Sequence, residues 1–365
     1  MTDPAPTDRA PVEVVVVGAS AGGVGALQRL VGRLPGDLRA VLLVVLHIPT
    51  TGTSALAGIL QRRSALNVAR AEDGAPLEFG SVLVAPPDRH LRLDGAVARL
   101  SREARVNGHR PAIDPLFESA GLWFGERTLG VLLSGTLDDG VAGLAAIRDA
   151  GGLVAVQDPH EADYPGMPRA AIDAGVVHHV LPLDGIAELI CGSTDGGSPG
   201  MTHPHPDPPR GGRAAPPRGP SHARPPEARS PDGELAVVDD PHESRPDQQQ
   251  AGLSCPSCGG TLWEGHDGGV AQFECRVGHR YSPASLFAAQ GDALEDALWA
   301  AHRALLERAD LARRMARRMH RGGGDAAARR YERLAEETDA RADVLHRSLT
   351  RVPPEAEDIR QAAAE

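Results

Sequence analysis

The stretch Val12-Glu13-Val14-Val15-Val16-Val17-Gly18-Ala19-Ser20-Ala21-Gly22-Gly23 decides the fold. Its β-branched run reads as a strand buried on both faces, the pattern of a parallel sheet. The strand ends in small residues and gives way to helix-compatible sequence from about residue 23, so the corner between them is glycine-rich and tight. Outward from it lie further short apolar runs at Ala40–Leu46, Ser81–Ala85, Leu129–Leu133 and Leu153–Val156. Helical stretches over about 23–33, 53–63, 114–124, 141–150 and 168–174 alternate with several of them. Asp114-Pro115 marks a helix start, and Gly151-Gly152 stops a helix just before the strand at Leu153. This alternation predicts an α/β domain over 12–190: a doubly wound, mostly parallel sheet with helices on both faces.

Composition narrows the chemistry. The chain has 365 residues, a formal net charge of −11 and only 3% aromatic residues, so Val, Leu, Ile and Ala must build the core. An acidic chain argues against a protein that coats nucleic acid or a membrane surface. There is no lysine; all 38 basic residues are arginine. Walker-type ATP binding, Schiff-base chemistry and the Tyr–Lys dehydrogenases each need an ammonium group and are excluded together. No signal-peptide pattern opens the chain, and the longest apolar runs are strand-length, so a cytoplasmic protein without direct membrane insertion is expected.

Residues 1–11 are polar and Pro-rich and are expected to be disordered. The stretch 191–252 is expected to be a disordered Pro/Gly-rich linker: 13 of the 31 prolines fall between 192 and 252, with no aromatic residue there to build a core. His203 and His205 stand in it as a His-Pro-His-Pro tract. A cysteine-rich knuckle over 253–282 and a helical hairpin over 283–350, split at Gly322-Gly323-Gly324, complete the plan, with a disordered tail at 351–365. The hairpin is read from Leu294, Ala297, Leu298, Ala301, Leu305, Ala312, Met315 and Met319 at helical spacing.

The corner Gly18-Ala19-Ser20-Ala21-Gly22 has the G-x-S-x-G pattern, which exposes a serine hydroxyl on a strand-to-helix turn. Backbone N–H groups at the helix start can stabilise an oxyanion there. A serine N-cap or a phosphate cradle fits the same residues. His47 follows the second strand at the same carboxyl edge, where open parallel sheets bind ligands, and is placed to act as general base toward Ser20. Ser134-Gly135-Thr136-Leu137-Asp138-Asp139-Gly140 follows the strand at 129–133. Asp138 or Asp139 can orient the imidazole, or simply cap the helix that begins at Val141. Three such groups at three strand ends outweigh any one alone.

These blocks resemble the catalytic domain of the chemotaxis protein-glutamate methylesterases. The likeness runs through Gly18–Gly23, His47-Ile48-Pro49, Val84–Leu91, Arg110–Phe117, Leu132–Gly135 with Asp139-Gly140, Gln157-Asp158 and Gly166–Ala171. It implies a Ser–His–Asp triad of Ser20, His47 and Asp139, the acid being the one that directly precedes Gly140. It also implies hydrolysis of glutamate methyl esters, and deamidation of glutamines, on chemoreceptor-type signalling proteins, with no cofactor for catalysis. The phospho-receiver domain usual in the family does not precede this sequence, so a stand-alone form is implied. Two departures flank the triad: Ala21 stands where the family often has Thr, and Thr136-Leu137 where it often has Met-Gly. Two other readings stay in view, a same-triad esterase on another substrate and a catalytically silent adaptor. Arg89, Arg110 and Arg169 lie in matched blocks, as ligands for an acidic receptor helix or as members of surface ion pairs.

Cys255-Pro256-Ser257-Cys258 and Cys275-Arg276-Val277-Gly278-His279 give C-x₂-C followed by C-x₃-H. Four such ligands suit a closed, structural Zn²⁺ site, with His266 as the alternative fourth ligand to His279. Arg303, Arg308, Arg313, Arg314, Arg317, Arg318 and Arg321 crowd the following helix, either as a solvated face or as a docking surface for an acidic partner. No aromatics interleave with them, so nucleic acid is not expected.

Overall fold

A computed structural model describes residues 10–48, 54–194, 249–267, 270–321 and 324–350. The linker expectation therefore lies largely outside the described residues, with His203 and His205, and so does the tail at 351–365. In chain order the first elements are β1 (Val14–Ala19), α1 (Gly23–Val31), β2 (Val41–Leu46), α2 (Leu56–Gln61), β3 (Asn67–Arg70) and β4 (Ser81–Val84). A hairpin of β5 (His90–Asp94) and β6 (Val97–Ser101) follows, then α3 (Asp114–Phe124), β7 (Thr128–Leu132), α4 (Val141–Asp149) and β8 (Leu153–Gln157). Next come α5 (Gly166–Asp173), β9 (His179–Leu181) and α6 (Leu183–Thr194). The knuckle comprises β10 (Gln249–Ser254), β11 (Thr261–Asp267), β12 (Val270–Cys275) and β13 (Arg280–Tyr281). Two helices close the chain, α7 (Pro283–Arg321) and α8 (Asp325–Thr350).

The main sheet has seven parallel strands in the order β3-β4-β2-β1-β7-β8-β9. Every residue of β1 and β2 is buried. The alternation of a strand explains how both faces are used. Val15, Val17, Leu42 and Val44 enter one apolar core with Leu27 and Leu30 of α1 and Ile186 and Ile190 of α6. Val14, Val16, Val41 and Leu43 enter the other, with Leu116 and Phe117 of α3 and Leu144 and Ile147 of α4. The chain winds outward from β1 to one side through β2, then returns to β7 on the other. The carboxyl edge of β2, β1 and β7 is thus the switch point where such sheets bind ligands.

Two boundaries of the sequence reading are corrected. Residues 191–194 are not linker but the last turn of α6, because Ile190 is buried in the core and Ser193 accepts the backbone N–H of Val12 at 2.9 Å. Residues 249–252 are likewise not linker but most of β10, paired antiparallel with β11. The knuckle also begins four residues before 253 for the same reason. The chain divides into two compact units between Ser285 and Leu286, so the knuckle belongs to the same unit as the α/β domain.

In the second unit, α7 and α8 form the expected antiparallel pair, but the buried seam is alanine-rich: Ala309, Ala312 and Ala316 with Ala328, Ala335 and Ala342. His302 of α7 stacks on His346 near the end of α8 (centroids 5.3 Å apart). Earlier turns of α7 lie beyond the reach of the shorter helix, so Leu294, expected on the apolar stripe, is 62% exposed. Among the described residues, two of the seven arginines form ion pairs, Arg313 with Asp339 and Arg314 with Asp310. Among the described residues no helix is long and apolar enough to cross a membrane.

His90 of β5 is fully buried between backbone groups; its Nε2–H donates to the Ala104 carbonyl (3.0 Å) and its Nδ1 accepts the Ala112 N–H (3.3 Å). Burial lowers its pKa from 6.5 to about 4. The unfolded chain binds this proton below 6.5 and the folded chain only near 4, so stability present at neutral pH is lost as pH falls through that window. The expected loss is about 3 kcal/mol. Thermal unfolding followed from neutral to acid pH should show it, and His90→Gln should flatten that part of the slope.

Candidate active site

Ser20 stands at the corner between β1 and α1. Its N–H donates to the Ser134 carbonyl (2.9 Å), which ties the corner to the end of β7. Ser134 Oγ donates to the Ala21 carbonyl (2.8 Å), and the Ser134 N–H is held by Gln157 Oε1 (3.0 Å) at the end of β8. The matched blocks Leu132–Gly135 and Gln157-Asp158 are therefore the scaffold of the serine corner. Gly22 is left-handed (φ 73°), and a Cβ there would lie 2.7 Å from Ser134 Oγ, so only glycine fits. A Cβ at Gly135 would meet Met167 and approach Ser20 Cβ to 2.9 Å, which requires glycine beside the hydroxyl.

His47 immediately follows β2, with its N–H on the Ala19 carbonyl (3.1 Å). Its Nε2 lies 2.6 Å from Asp139 Oδ2 and its Nδ1 lies 3.1 Å from Ser20 Oγ. The carboxylate only accepts, so the ring proton belongs on Nε2 and the Nδ1 lone pair faces the serine. The best-known serine-protease triads use the two nitrogens the other way round. The line of hydrogen bonds is the same.

Asp139 is 2% exposed and four donors address it: His47 Nε2, the Ile113 N–H (2.7 Å), the Asp114 N–H (3.4 Å) and Asn107 Nδ2 (2.9 Å). Burial opposes ionisation, but the His47 hydrogen bond and charge, with the Ile113 N–H, prevail and hold its pKa well below the ordinary carboxylate range. Asp138, the alternative acid, points elsewhere and accepts the Ser282 (2.7 Å) and Ser285 (2.9 Å) hydroxyls, while burial raises its pKa. Neither aspartate caps α4 with its side chain. Asp114 does so from α3, with Oδ1 accepting the Gly140 (3.0 Å) and Gly143 (2.7 Å) N–H groups. Burial first, then the Asp139 charge, raises the pKa of Asp114 well above its ordinary value. Two neighbouring carboxylates are thus driven apart, with Asp139 kept ionised.

Three residues of this site carried no role in the sequence reading: Asn107, His109 and Asp114. His109 stacks on His47 with ring centroids 3.7 Å apart and planes 10° apart. Burial and the His47 charge lower its pKa to about 4, which keeps it neutral against the imidazole it covers. A signal was available for Asp114, which lies within the matched block Arg110–Phe117, and for His109, which directly precedes it. Arg110 takes the ion-pair role, donating to Asp88 at 2.5 Å. Leu137 holds a left-handed backbone (φ 62°) at the position where the resemblance leads to glycine. That conformation costs a leucine about 1 kcal/mol.

The four knuckle ligands come together. Cys255 and Cys258 sit on the turn between β10 and β11, Cys275 ends β12, and His279 lies on the turn that follows it. Their ligand atoms all lie within 4.8 Å of one another. Cys258 Sγ is 3.7 Å from Cys275 Sγ, and His279 Nδ1 is 3.4 Å from Cys275 Sγ and 3.7 Å from Cys255 Sγ. A tetrahedral zinc with ordinary Zn–S and Zn–N bonds has edges of about 3.8 Å and about 3.6 Å. These three separations are close to such edges, and the donor set suits a four-coordinate zinc. His266 is exposed on β11 opposite Ala271, outside the cluster, so His279 is the histidine of the set.

A serine, an imidazole and a buried carboxylate in one hydrogen-bonded line, at the switch point of a doubly wound sheet, define a class: the serine hydrolases built on open α/β sheets. Residues 15–190 match the family described as CheB methylesterase. A putative protein-glutamate methylesterase/protein-glutamine glutaminase of Leptospira interrogans is 38% identical over 178 residues, which cover 48% of this chain and 92% of that protein. The chain belongs to the CheB methylesterase family. Protein-glutamate methylesterase/protein-glutamine glutaminase 2 of Anaeromyxobacter dehalogenans is 48% identical over 188 residues, 52% of this chain and 55% of that protein. The crystal structure of the Thermotoga maritima CheB methylesterase catalytic domain aligns at 33% identity and a TM-score of 0.49, over 50% of this chain and 99% of that one. The chain spans about half the length of several curated relatives that it matches, 55%, 55% and 51% of three of them.

Proposed function

We propose that this chain is a protein-glutamate methylesterase, and a protein-glutamine glutaminase, acting on methylated chemoreceptor-type signalling proteins in the cytoplasm. The observation that carries the reading is the Ser20–His47–Asp139 line, with hydrogen-bond distances of 3.1 and 2.6 Å, inside a domain of the CheB methylesterase family. Ser20 Oγ attacks the side-chain ester carbonyl as His47 Nδ1 takes its proton, and backbone N–H groups at the start of α1 face the developing oxyanion. Collapse of the tetrahedral intermediate breaks the bond to the methoxy group, which leaves as methanol with the proton from His47. A water deprotonated by His47 then cleaves the acyl–Ser20 ester and yields the glutamate carboxylate. A glutamine follows the same course and releases ammonia. Asp139 holds the ring on its Nε2 tautomer and stabilises the imidazolium. His109 covers one ring face.

The knuckle supports a second reading, a structural zinc held by Cys255, Cys258, Cys275 and His279. Zinc there supplies folding energy and no catalytic step, since four protein ligands close its coordination.

Incubating the chain with receptor cytoplasmic fragments bearing methylated glutamates, and mapping the sites by mass spectrometry, tests the substrate. The reading predicts conversion of methyl esters, and of selected glutamines, to glutamates, with weak turnover of nitrophenyl acetate. Rapid turnover of nitrophenyl acetate with untouched receptor would point to a small-ester hydrolase instead.

A further inference from the structure

We propose that Asn107 is a positioning residue for the triad acid and that the metal-loaded knuckle holds it there, so that metal at the four-ligand site governs the competence of Ser20. The proposal rests on the hydrolase reading above.

Asn107 uses its backbone N–H and both ends of its side-chain amide. Its Nδ2 donates to Asp139 Oδ1 (2.9 Å) and to Asp114 Oδ2 (3.0 Å). Its Oδ1 accepts the Ser282 N–H (2.9 Å), and its own N–H donates to the Arg280 carbonyl (2.7 Å). The first pair belongs to the active site and the second to the knuckle. Only one orientation of the amide satisfies its three side-chain bonds, because its nitrogen must face two carboxyl groups and its oxygen a donor. Asn107 is buried and left-handed (φ 52°), a conformation that asparagine tolerates well among non-glycine residues.

The knuckle side of this bond network begins next to a metal ligand. Arg280 follows His279, its N–H donates to the Arg105 carbonyl (3.2 Å), and its guanidinium pairs with Glu118 of α3 at 3.3 Å. Ser282 and Ser285 grip Asp138 from the same side, beside the left-handed Leu137. The loop carrying Asp139 is thus braced by the knuckle both at Asp138 and, through Asn107, at Asp139 itself. Among the described residues the knuckle has little apolar core of its own, chiefly Leu262 and Tyr281, so it depends on the metal for its shape. Loss of metal frees residues 280–282, Asn107 loses half its partners, and Asp139 loses a charge-directed donor.

The test uses the full chain, with three measurements on each sample: zinc content, the rate at which a fluorophosphonate labels Ser20, and the downfield imidazole N–H resonance of the His47–Asp139 bond. The samples are wild type and Asn107→Gly, each with metal and after chelation. Glycine keeps the left-handed backbone while removing the amide. Asn107→Gly should retain zinc, label roughly 10- to 100-fold more slowly and shift or broaden the resonance. Chelation of wild type should slow labelling comparably, with recovery on zinc addition, and should add little to Asn107→Gly, because both act on one interaction. Equal labelling and an unchanged resonance in Asn107→Gly would overturn the proposal, as would losses from chelation and substitution that multiply. Phosphonylation needs no methyl ester, so a wrong substrate leaves this test intact. If wild-type Ser20 takes no label at all, the hydrolase reading itself fails, and the resonance still decides the role of Asn107.

Discussion

Asp139→Asn is expected to lower turnover about ten-thousand-fold while leaving the chain folded. The acid accepts the His47 Nε2–H at 2.6 Å and is addressed by three further donors. An asparagine has one acceptor oxygen where the carboxylate has two. If that oxygen faces the Ile113 N–H and His47, its NH₂ meets Asn107 Nδ2, donor against donor. If it turns to Asn107, the NH₂ meets His47 and forces the ring proton onto Nδ1, where the Ser20 hydroxyl needs a base. Either way the imidazolium loses its counter-charge. The measurement is a kcat and KM comparison on a methylated receptor fragment, with circular dichroism as the folding control. The loss should fall on kcat. A variant within tenfold of wild type would show that Asp139 is a helix-end carboxylate and not part of the reacting line.

The second large effect concerns the knuckle. Cys275→Ser should abolish metal binding and unfold 249–281 while the seven-stranded sheet persists. Cys275 is fully buried, and its sulfur lies 3.4–3.7 Å from two of the other three ligand atoms. Binding energy at structural zinc sites is on the order of 10 kcal/mol, comparable to the whole stability of a small domain. The wild-type chain should carry one zinc, with β11 and β12 protected from hydrogen exchange. The variant should carry none and exchange rapidly there. Protection that survives in Cys275→Ser, or in metal-free wild type, would mean that packing alone holds the knuckle.

The central strands were legible because they are buried on both faces, so Val14–Val17 and Val41–Leu46 read as unbroken apolar runs. The edge strands β3 and β9 were not, because half-exposed strands such as Asn67–Arg70 carry polar residues that break the pattern. The β5–β6 hairpin was also missed, although Asp94-Gly95 is a turn signal and Gly95 is left-handed. At the site, Ser20, His47 and Asp139 were legible because each follows a strand that could be read. The choice between Asp138 and Asp139 came from the resemblance; in the structure Asp139 faces His47 and Asp138 faces the knuckle serines. Asn107 was out of reach for a physical reason. Its role depends on a loop fixed by residues 280–282, and no local periodicity reports a contact across more than 170 positions of sequence. The apolar stripe of α7 failed in its first turns because periodicity shows which residues share a face, and not how far the partner helix extends.

The most direct test of the central claim is methanol release from methyl-esterified receptor fragments by the wild-type chain and by Ser20→Ala, side by side. Removing the Ser20 hydroxyl deletes the attacking atom and little else, since Ser20 is held through its backbone by Ser134. Wild type is expected to release methanol, and Ser20→Ala to lose several orders of magnitude in rate with unchanged thermal stability. Equal release by both proteins, or none by a folded wild type, would contradict the central claim.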